Sequence, residues 1–237
     1  MRHMSAGTRT SPRIVLASQS PRRRRLLAWL GLPYDAVSVD TPEEMDSPLA
    51  SRPDALAASL AAEKAVAARA EGHAHDALVL SFDTIVVHDG ALLGKPSDTD
   101  DAWRMLRSLS GRTHQVVTGC GILTPGLAEP LTFSVTTEVR MRDLTDEGIE
   151  EWMAQGTFLG CAGAYNIEAQ VASVTEDECH QNVAGLPLCH LHAALAALPP
   201  DSMPDMPASP VAPCDAALGR RCRLGPRVIG EGFTPAV

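Results

Sequence analysis

The chain has 237 residues, a net charge of −9 and an ordinary apolar content of 45%. That length suits one large domain or two small lobes with a real core. The acidic balance excludes a broad nucleic-acid-binding face and makes local basic clusters informative, because a polyphosphate needs concentrated positive charge. No stretch approaches the roughly 18 continuous apolar residues that a membrane span requires. Six scattered cysteines form no C-x-x-C pair, and residues 1–12 are polar. Reduced thiols and a cytoplasmic protein are the expectation.

Ile14-Val15-Leu16-Ala17 reads as a buried strand. Ser18 to Pro21 breaks it, and Pro21 suits the first position of a helix running through Leu26, Leu27 and Leu30 to a Gly31 cap. Residues 34–39 read as a second strand and residues 53–70, rich in alanine, as a long helix. Leu78-Val79-Leu80 and Ile85-Val86-Val87 flank Ser81-Phe82-Asp83-Thr84, placing Asp83 at the C-terminal end of an apolar strand, and Asp89-Gly90 is a hairpin signal. A helix over 99–108 and a strand over 114–123 follow. Alternation from Phe133 to Met141 predicts a half-exposed antiparallel strand. Thr145 caps a helix running to about Gln155, and residues 186–198 form the last helix. Helices and strands mix without strict alternation, so the fold class is α/β with a mixed sheet. From Pro199 onward Pro, Gly, Arg and Cys dominate, and a disordered tail over 199–237 is expected, matching a flexible extension over 1–12.

Several residues carry chemistry, each beside a plainer alternative. The start of the first helix, with Ser18, Ser20, Arg22 and Arg23, is an anion site or a capped surface helix; Arg24 and Arg25 read partly as a solvated run, since four consecutive residues cannot share one helix face. Asp83 is a general base, a metal ligand or a turn aspartate. Glu63-Lys64 is a solvated helix face unless something draws it inward. Gly90 to Lys95 is not a P-loop, having three residues between its glycines and Pro96 where Ser or Thr belongs; Lys95 can still reach a phosphate. Gly119-Cys120-Gly121 lacks the third glycine of a dinucleotide fingerprint. The histidines show no zinc-site spacing.

Taken in order, these pieces resemble the Maf family of nucleoside triphosphate pyrophosphatases. The resemblance rests on Leu16-Ala17-Ser18-Gln19-Ser20-Pro21-Arg22-Arg23, Ala62-Glu63-Lys64-Ala65, Ser81-Phe82-Asp83-Thr84, Gly94-Lys95-Pro96, Leu109-Ser110-Gly111-Arg112, Val117-Thr118-Gly119, Ala162-Gly163-Ala164-Tyr165 and Gly185-Leu186-Pro187-Leu188, and it spans residues 13–198. It implies an elongated mixed β-sheet with flanking helices, two lobes around a central cleft, similar to inosine-triphosphatase folds, and often a homodimer. It implies hydrolysis between the α and β phosphates of a nucleoside triphosphate, dependent on Mg²⁺ or Mn²⁺. Asp83 would be the general base, Lys64 and Lys95 would offset developing charge, and Ser18, Arg22 and Arg23 would hold the triphosphate. Glu43, with Glu44 as its alternative, would serve the metal.

On base preference the resemblance divides. Arg22 and Thr84 match a subfamily acting on dTTP and UTP, whereas Glu168 and the Cys161-Ala162-Gly163 segment lean toward one acting on 7-methyl-GTP. A carboxylate only accepts hydrogen bonds, which suits a guanine N1–H and N2–H₂ edge better than a pyrimidine, so a strict dTTP/UTP enzyme is not the expectation. The competing readings are a nucleotide-binding regulator of cell division and septum formation that has lost catalysis, and an inosine-triphosphate-type pyrophosphatase. Asp83, Lys64 and Lys95 together speak for catalysis. No nucleic acid polymer and no membrane enter as partners.

Overall fold

The computed structural model describes residues 13–203 and 205–233; the expected extension over 1–12 lies outside them. Strand β1 (Arg13–Ala17) lies between β2 (Tyr34–Val37) and β3 (Ala77–His88), pairing parallel with both. Beyond β3 the sheet continues antiparallel through β5 (Thr113–Leu123), β6 (Leu131–Met141) and the short β7 (Ala172–Ser173). The short strand β4 (Ala91–Leu93) folds back on the end of β3. The Asp89-Gly90 turn makes this hairpin with φ of 49° and 77°, the left-handed pair that a two-residue type I′ turn requires. The sheet is therefore mixed, as expected.

Strand β3 corrects one expectation. Asp83 does not end an apolar strand; it lies in the middle of one that runs for 12 residues. The apparent break in composition is local to one edge. There β1 pairs with Ala77–Ser81 and β4 takes over only at Val86, so neither strand covers Phe82 to Ile85. On the other edge β5 pairs without interruption from Val79 to Val87 and carries the strand through.

Side chains of β3 alternate between two packed faces. Helix α1 (Pro21–Leu27) covers one, where Leu26, Leu27 and Leu30 join Leu78, Leu80, Phe82 and Val86 in the main core. The long helix α2 (Pro53–Ala70) covers the other, where its alanines and leucines meet Val79 and Ile85. The α2 backbone lies unusually close to the sheet. A Cβ at Gly119 would sit 2.0 Å from the Ala57 carbonyl oxygen, and one at Gly121 only 2.5 Å from Ser81 Oγ. Those glycines are packing surfaces, and Ser81 Oγ donates to the Ala61 carbonyl at 2.6 Å to fasten the helix.

Helices α3 (Thr99–Leu109) and α4 (Asp146–Ala154) close the main core from the side. The cap of α4 is Thr145, whose hydroxyl accepts from the Gly148 amide at 3.1 Å. Helices α5 (His180–Val183) and α6 (Leu188–Ala196) follow.

After α6 the structure departs from the expected loose tail. Met203 is buried in the main core. Helices α7 (Val211–Leu218) and α8 (Leu224–Glu231) follow, and α8 packs on α6. The Ala208 amide bonds the Leu30 carbonyl at 2.8 Å, Arg223 pairs with Glu176 at 2.9 Å, and Phe233 meets Phe133 edge-on at 5.1 Å. Composition misleads here for a definite reason. Pro213 and Pro226 sit in the first turns of their helices, where no intrahelical amide bond is lost. Gly225 then lets α8 approach Cys189, whose Sγ would lie 3.0 Å from a Cβ. Among the described residues no helix is long and apolar enough to cross a membrane.

Candidate active site

A cleft of about 1000 Å³ opens over the uncovered edge of β3. Because β1 stops at Ala17, side chains from both faces of the sheet reach it. Ser18, Arg22, Arg23, Glu43, Lys64, Asp83, Thr84, Lys95 and Glu168, the whole set of sequence-predicted site residues, line it; Glu44 does not.

The floor comes from the α2 face. Asp83 is 4% exposed and Lys64 is 9% exposed. The Lys64 ammonium donates to Asp83 Oδ1 at 2.5 Å and to Glu43 Oε1 at 2.9 Å, and Lys95 donates to the same Glu43 oxygen at 2.7 Å. So Lys64 is not on a solvated helix face. The close seating of α2 on Gly119, which stands opposite Asp83 in the β3–β5 register, delivers it to the carboxylate. Burial opposes ionisation of Glu43, but the Lys64 charge and the hydrogen bonds from Lys95 and Lys64 outweigh it and hold its pKa down at about 2. Lys95 is placed by a loop whose Gly94 carbonyl accepts from the Gly163 amide at 3.0 Å.

The wall comes from α1. Ser20 is its N-cap and accepts from the Arg23 amide, so the capped-helix and anion-site readings describe one feature. The Arg23 guanidinium lies across the other face of the sheet. Nε donates to the Gly185 carbonyl at 2.9 Å, Nη2 to Thr84 Oγ1 at 2.9 Å and Nη1 to Ser18 Oγ at 3.4 Å, with the group over the Phe82 ring. Desolvation lowers its pKa, countered chiefly by Asp83. An arginine stays charged through such a shift, so this is a fixed cation beside the carboxylate.

Arg22 and Arg25, one turn apart on α1, reach across to the segment that follows α4. Arg22 donates to the Gly160 carbonyl at 3.3 Å and to Cys161 Sγ at 3.2 Å. Arg25, read from sequence as partly solvated, ion-pairs with Glu168 on a 3₁₀ turn (Ile167–Ala169) at the cleft mouth. Nothing in the spacing announces that pair, since the two residues are 143 positions apart. Tyr165, also lining the cleft, is held by His114 Nε2 at 2.7 Å, and Trp152 by the Ala164 carbonyl at 2.9 Å.

Among the described residues no group of three or more His, Cys, Asp or Glu is placed to hold a metal ion. The Asp83 and Glu43 carboxylates are each engaged through one oxygen by lysine.

Comparison with known proteins adds to this geometry. A family model described as Maf-like protein matches residues 13–198. A dTTP/UTP pyrophosphatase from Syntrophotalea carbinolica is 42% identical over 187 residues, covering 78% of this chain and 84% of its own. One from Geobacter metallireducens is 44% identical over 184 residues, covering 76% and 92%. Among solved structures, a nucleoside-triphosphatase/dITP/XTP pyrophosphatase from Mycobacterium abscessus aligns with 54% of this chain and 74% of its own at 20% identity, with a TM-score of 0.33.

Proposed function

The chain belongs to the Maf family, and from that premise we propose that it is a nucleoside triphosphate pyrophosphatase that acts on dTTP and UTP, cleaving between the α and β phosphates to give the monophosphate and pyrophosphate. The observation that carries this reading is the buried Lys64–Asp83 pair with Lys95 and the half-buried Glu43 beside it, facing a wall of arginines across one cleft. A triphosphate supplies an anion for Arg22 and Arg23, whose hydrogen bonds go to carbonyl, hydroxyl and thiol groups, and competes with Asp83 and Glu43 for Lys64 and Lys95; phosphoryl transfer depends mainly on positioning and charge stabilisation.

In this mechanism Asp83 orients water and takes its proton. The nucleotide draws Lys64 and Lys95 toward phosphate oxygens, which frees the Asp83 and Glu43 carboxylates. Those two residues fit a divalent cation that arrives with the nucleotide, since magnesium typically uses one or two carboxylates plus substrate phosphates; bound there, it would neutralise phosphate charge. Glu43, inside the cleft, suits this role and Glu44, outside it, does not.

We rest the base preference on the relatives' names; the mouth is compatible with a pyrimidine. A pyrimidine 4-oxo, N3–H edge needs a donor and an acceptor together. A lone Glu168 offers only acceptors, but Arg25 at its side supplies the donor. The pair also satisfies the negative charge that would otherwise favour a cationic 7-methylguanine. Pyrophosphate release with Mg²⁺ or Mn²⁺ over dTTP, UTP, CTP, GTP and 7-methyl-GTP tests it: kcat/KM highest for dTTP and UTP is expected, and a purine preference would overturn the base assignment. Nucleotide binding with no turnover on any member of the panel would favour the division-regulator reading instead.

A further inference from the structure

Four of the six cysteines gather at one place outside the cleft. Cys179 stands at the start of α5, Cys189 in the first turn of α6, Cys214 in α7 and Cys222 in the turn before α8. Together they line a small cavity of about 20 Å³, and every one is a free thiol. Two come from the body of the chain and two from the segment after Pro199, so the cavity marks the seam between them. Among the described residues no three such groups are placed to hold a metal ion. The chemistry left to the cluster is that of thiols with one another.

The four are not equivalent. Cys179, Cys189 and Cys214 are buried, whereas Cys222 is partly exposed. Burial pushes the Cys179 thiol up to about 12 and raises those of Cys189 and Cys214 as well. A thiol held protonated is a poor nucleophile, so the first attack on an oxidant falls to Cys222. Its place is fixed: its amide donates to Asp215 Oδ1 at 2.8 Å, and its Sγ accepts from the Gly225 amide at 3.4 Å. Gly225 also selects the partner. A Cβ there would lie 3.0 Å from Cys189 Sγ and 3.7 Å from Cys222 Sγ, so both sulfurs border the space that the missing side chain leaves. Cys214 Sγ is engaged elsewhere, accepting from Gln181 Nε2 at 3.7 Å.

We propose that Cys222 and Cys189 form a peroxide-sensitive thiol pair, whose oxidation closes a disulfide that clamps the C-terminal segment onto α6. The Cys222 sulfur attacks one oxygen of hydrogen peroxide; an S–O bond forms, the O–O bond breaks, and water leaves with the thiol proton. The Cys189 sulfur then attacks the Cys222 sulfenic acid; the S–S bond forms, the S–O bond breaks, and water leaves with the Cys189 proton. Two thiols are oxidised by two electrons in all, and one peroxide is reduced to two waters. The loop so closed contains α7, and closing it removes freedom from the unfolded chain. None of this depends on what the cleft binds.

The test is treatment of the reduced, full-length chain with hydrogen peroxide under native conditions, followed by intact mass, peptide mapping without reductant and thermal melting. Titratable thiols should fall by two from the six of the reduced chain, with a mass lower by two hydrogen atoms. Mapping should join the Cys189 and Cys222 peptides, and the melting temperature should rise by roughly 5 °C or more until dithiothreitol reverses it. Cys222→Ser and Cys189→Ala should each lose the link and the rise, while Cys214→Ala keeps both. A link from Cys222 to Cys179 or Cys214, links only between chains, or Cys222 oxidised to sulfinic acid without a link would overturn the proposal. So would a stoichiometric metal ion that is released when the thiols are blocked. Should Cys189→Ala not fold, peptide mapping of the wild type against Cys222→Ser, a change at a partly exposed turn, decides alone.

Discussion

The two ends of the cleft both present an ion pair, and the pairs differ in how they are held. At the floor, the Lys64 and Asp83 side chains are 11% and 5% exposed and sit on a long helix and a central strand. At the mouth, those of Arg25 and Glu168 are 53% and 33% exposed and sit on a short helix and a 3₁₀ turn. A buried pair is costly to break on one side, because the survivor is left charged in a poorly solvated place. An exposed pair contributes about 0–1 kcal/mol and rearranges easily. Under the proposed function, the floor serves chemistry that every substrate shares, and the mouth serves discrimination among bases, where sequence can change without loss of the fold.

The sharpest way to break this contrast is Asp83→Asn. It keeps the volume and removes the carboxylate proposed as the base, and the expected loss in pyrophosphate release is about 100-fold or more. Full activity would remove Asp83 from the mechanism. Next in size is Gly119→Ala. Its Cβ would enter the Ala57 backbone, so α2 must shift, with an expected loss of about 3 kcal/mol in denaturant unfolding and a parallel fall in kcat as Lys64 moves away. Unchanged stability would mean that the helix is not seated as described.

A pH series separates the floor from the rest of the core. Burial lowers the His114 pKa from 6.5 to about 4. Between those values the unfolded chain binds the proton and the folded one does not, so stability is lost as pH falls from 6.5 toward 4. Glu43, depressed from 4.5 to about 2, contributes stability that is lost only in that lower window. Melting temperature against pH should therefore fall before the floor titrates, and His114→Gln should flatten the upper part of that slope. An identical slope in the variant would assign the loss to other groups. The smallest structural effect is expected at the mouth. Glu168→Gln should move the melting temperature little, since the pair is exposed, while keeping or raising the preference for UTP over GTP. A large drop in melting temperature would show that the mouth, too, is a structural element.

How legible was all this? The strand–turn–helix opening, the Asp89-Gly90 hairpin and the Thr145 cap are local signals, and the structure carries each one. The nine site residues converge on one cleft because their elements surround one gap in the sheet: Ser18, Arg22 and Arg23 where β1 passes into α1, Lys64 inside α2, Asp83 and Thr84 inside β3, and Glu43, Lys95 and Glu168 on connecting segments. What sequence did not show was decided by partners distant in the chain. Asp83 looks like a turn residue only if β5, which continues the strand, is unknown. Arg25 looks solvated only if Glu168 is unknown. The segment after Pro199 looks formless because small residues and backbone bonds, rather than an apolar stripe, dock it. Gly119 and Gly121, two apart and therefore on one strand face, did carry a readable signal of close helix approach.

The interruption between β1 and β4 has a consequence of its own for how the protein opens and closes. Most of β3 has a hydrogen-bonded strand on each side, whereas Phe82 to Ile85 has one on a single side. Backbone amides there that face the cleft lack the shielding that a second strand gives, although they lie in the middle of the most buried strand of the sheet. Solvent deuterons should reach them while their neighbours stay protected, and a bound nucleotide should slow them selectively. The peptide backbone beside Asp83 would then report occupancy of the cleft directly, without any reaction having to occur.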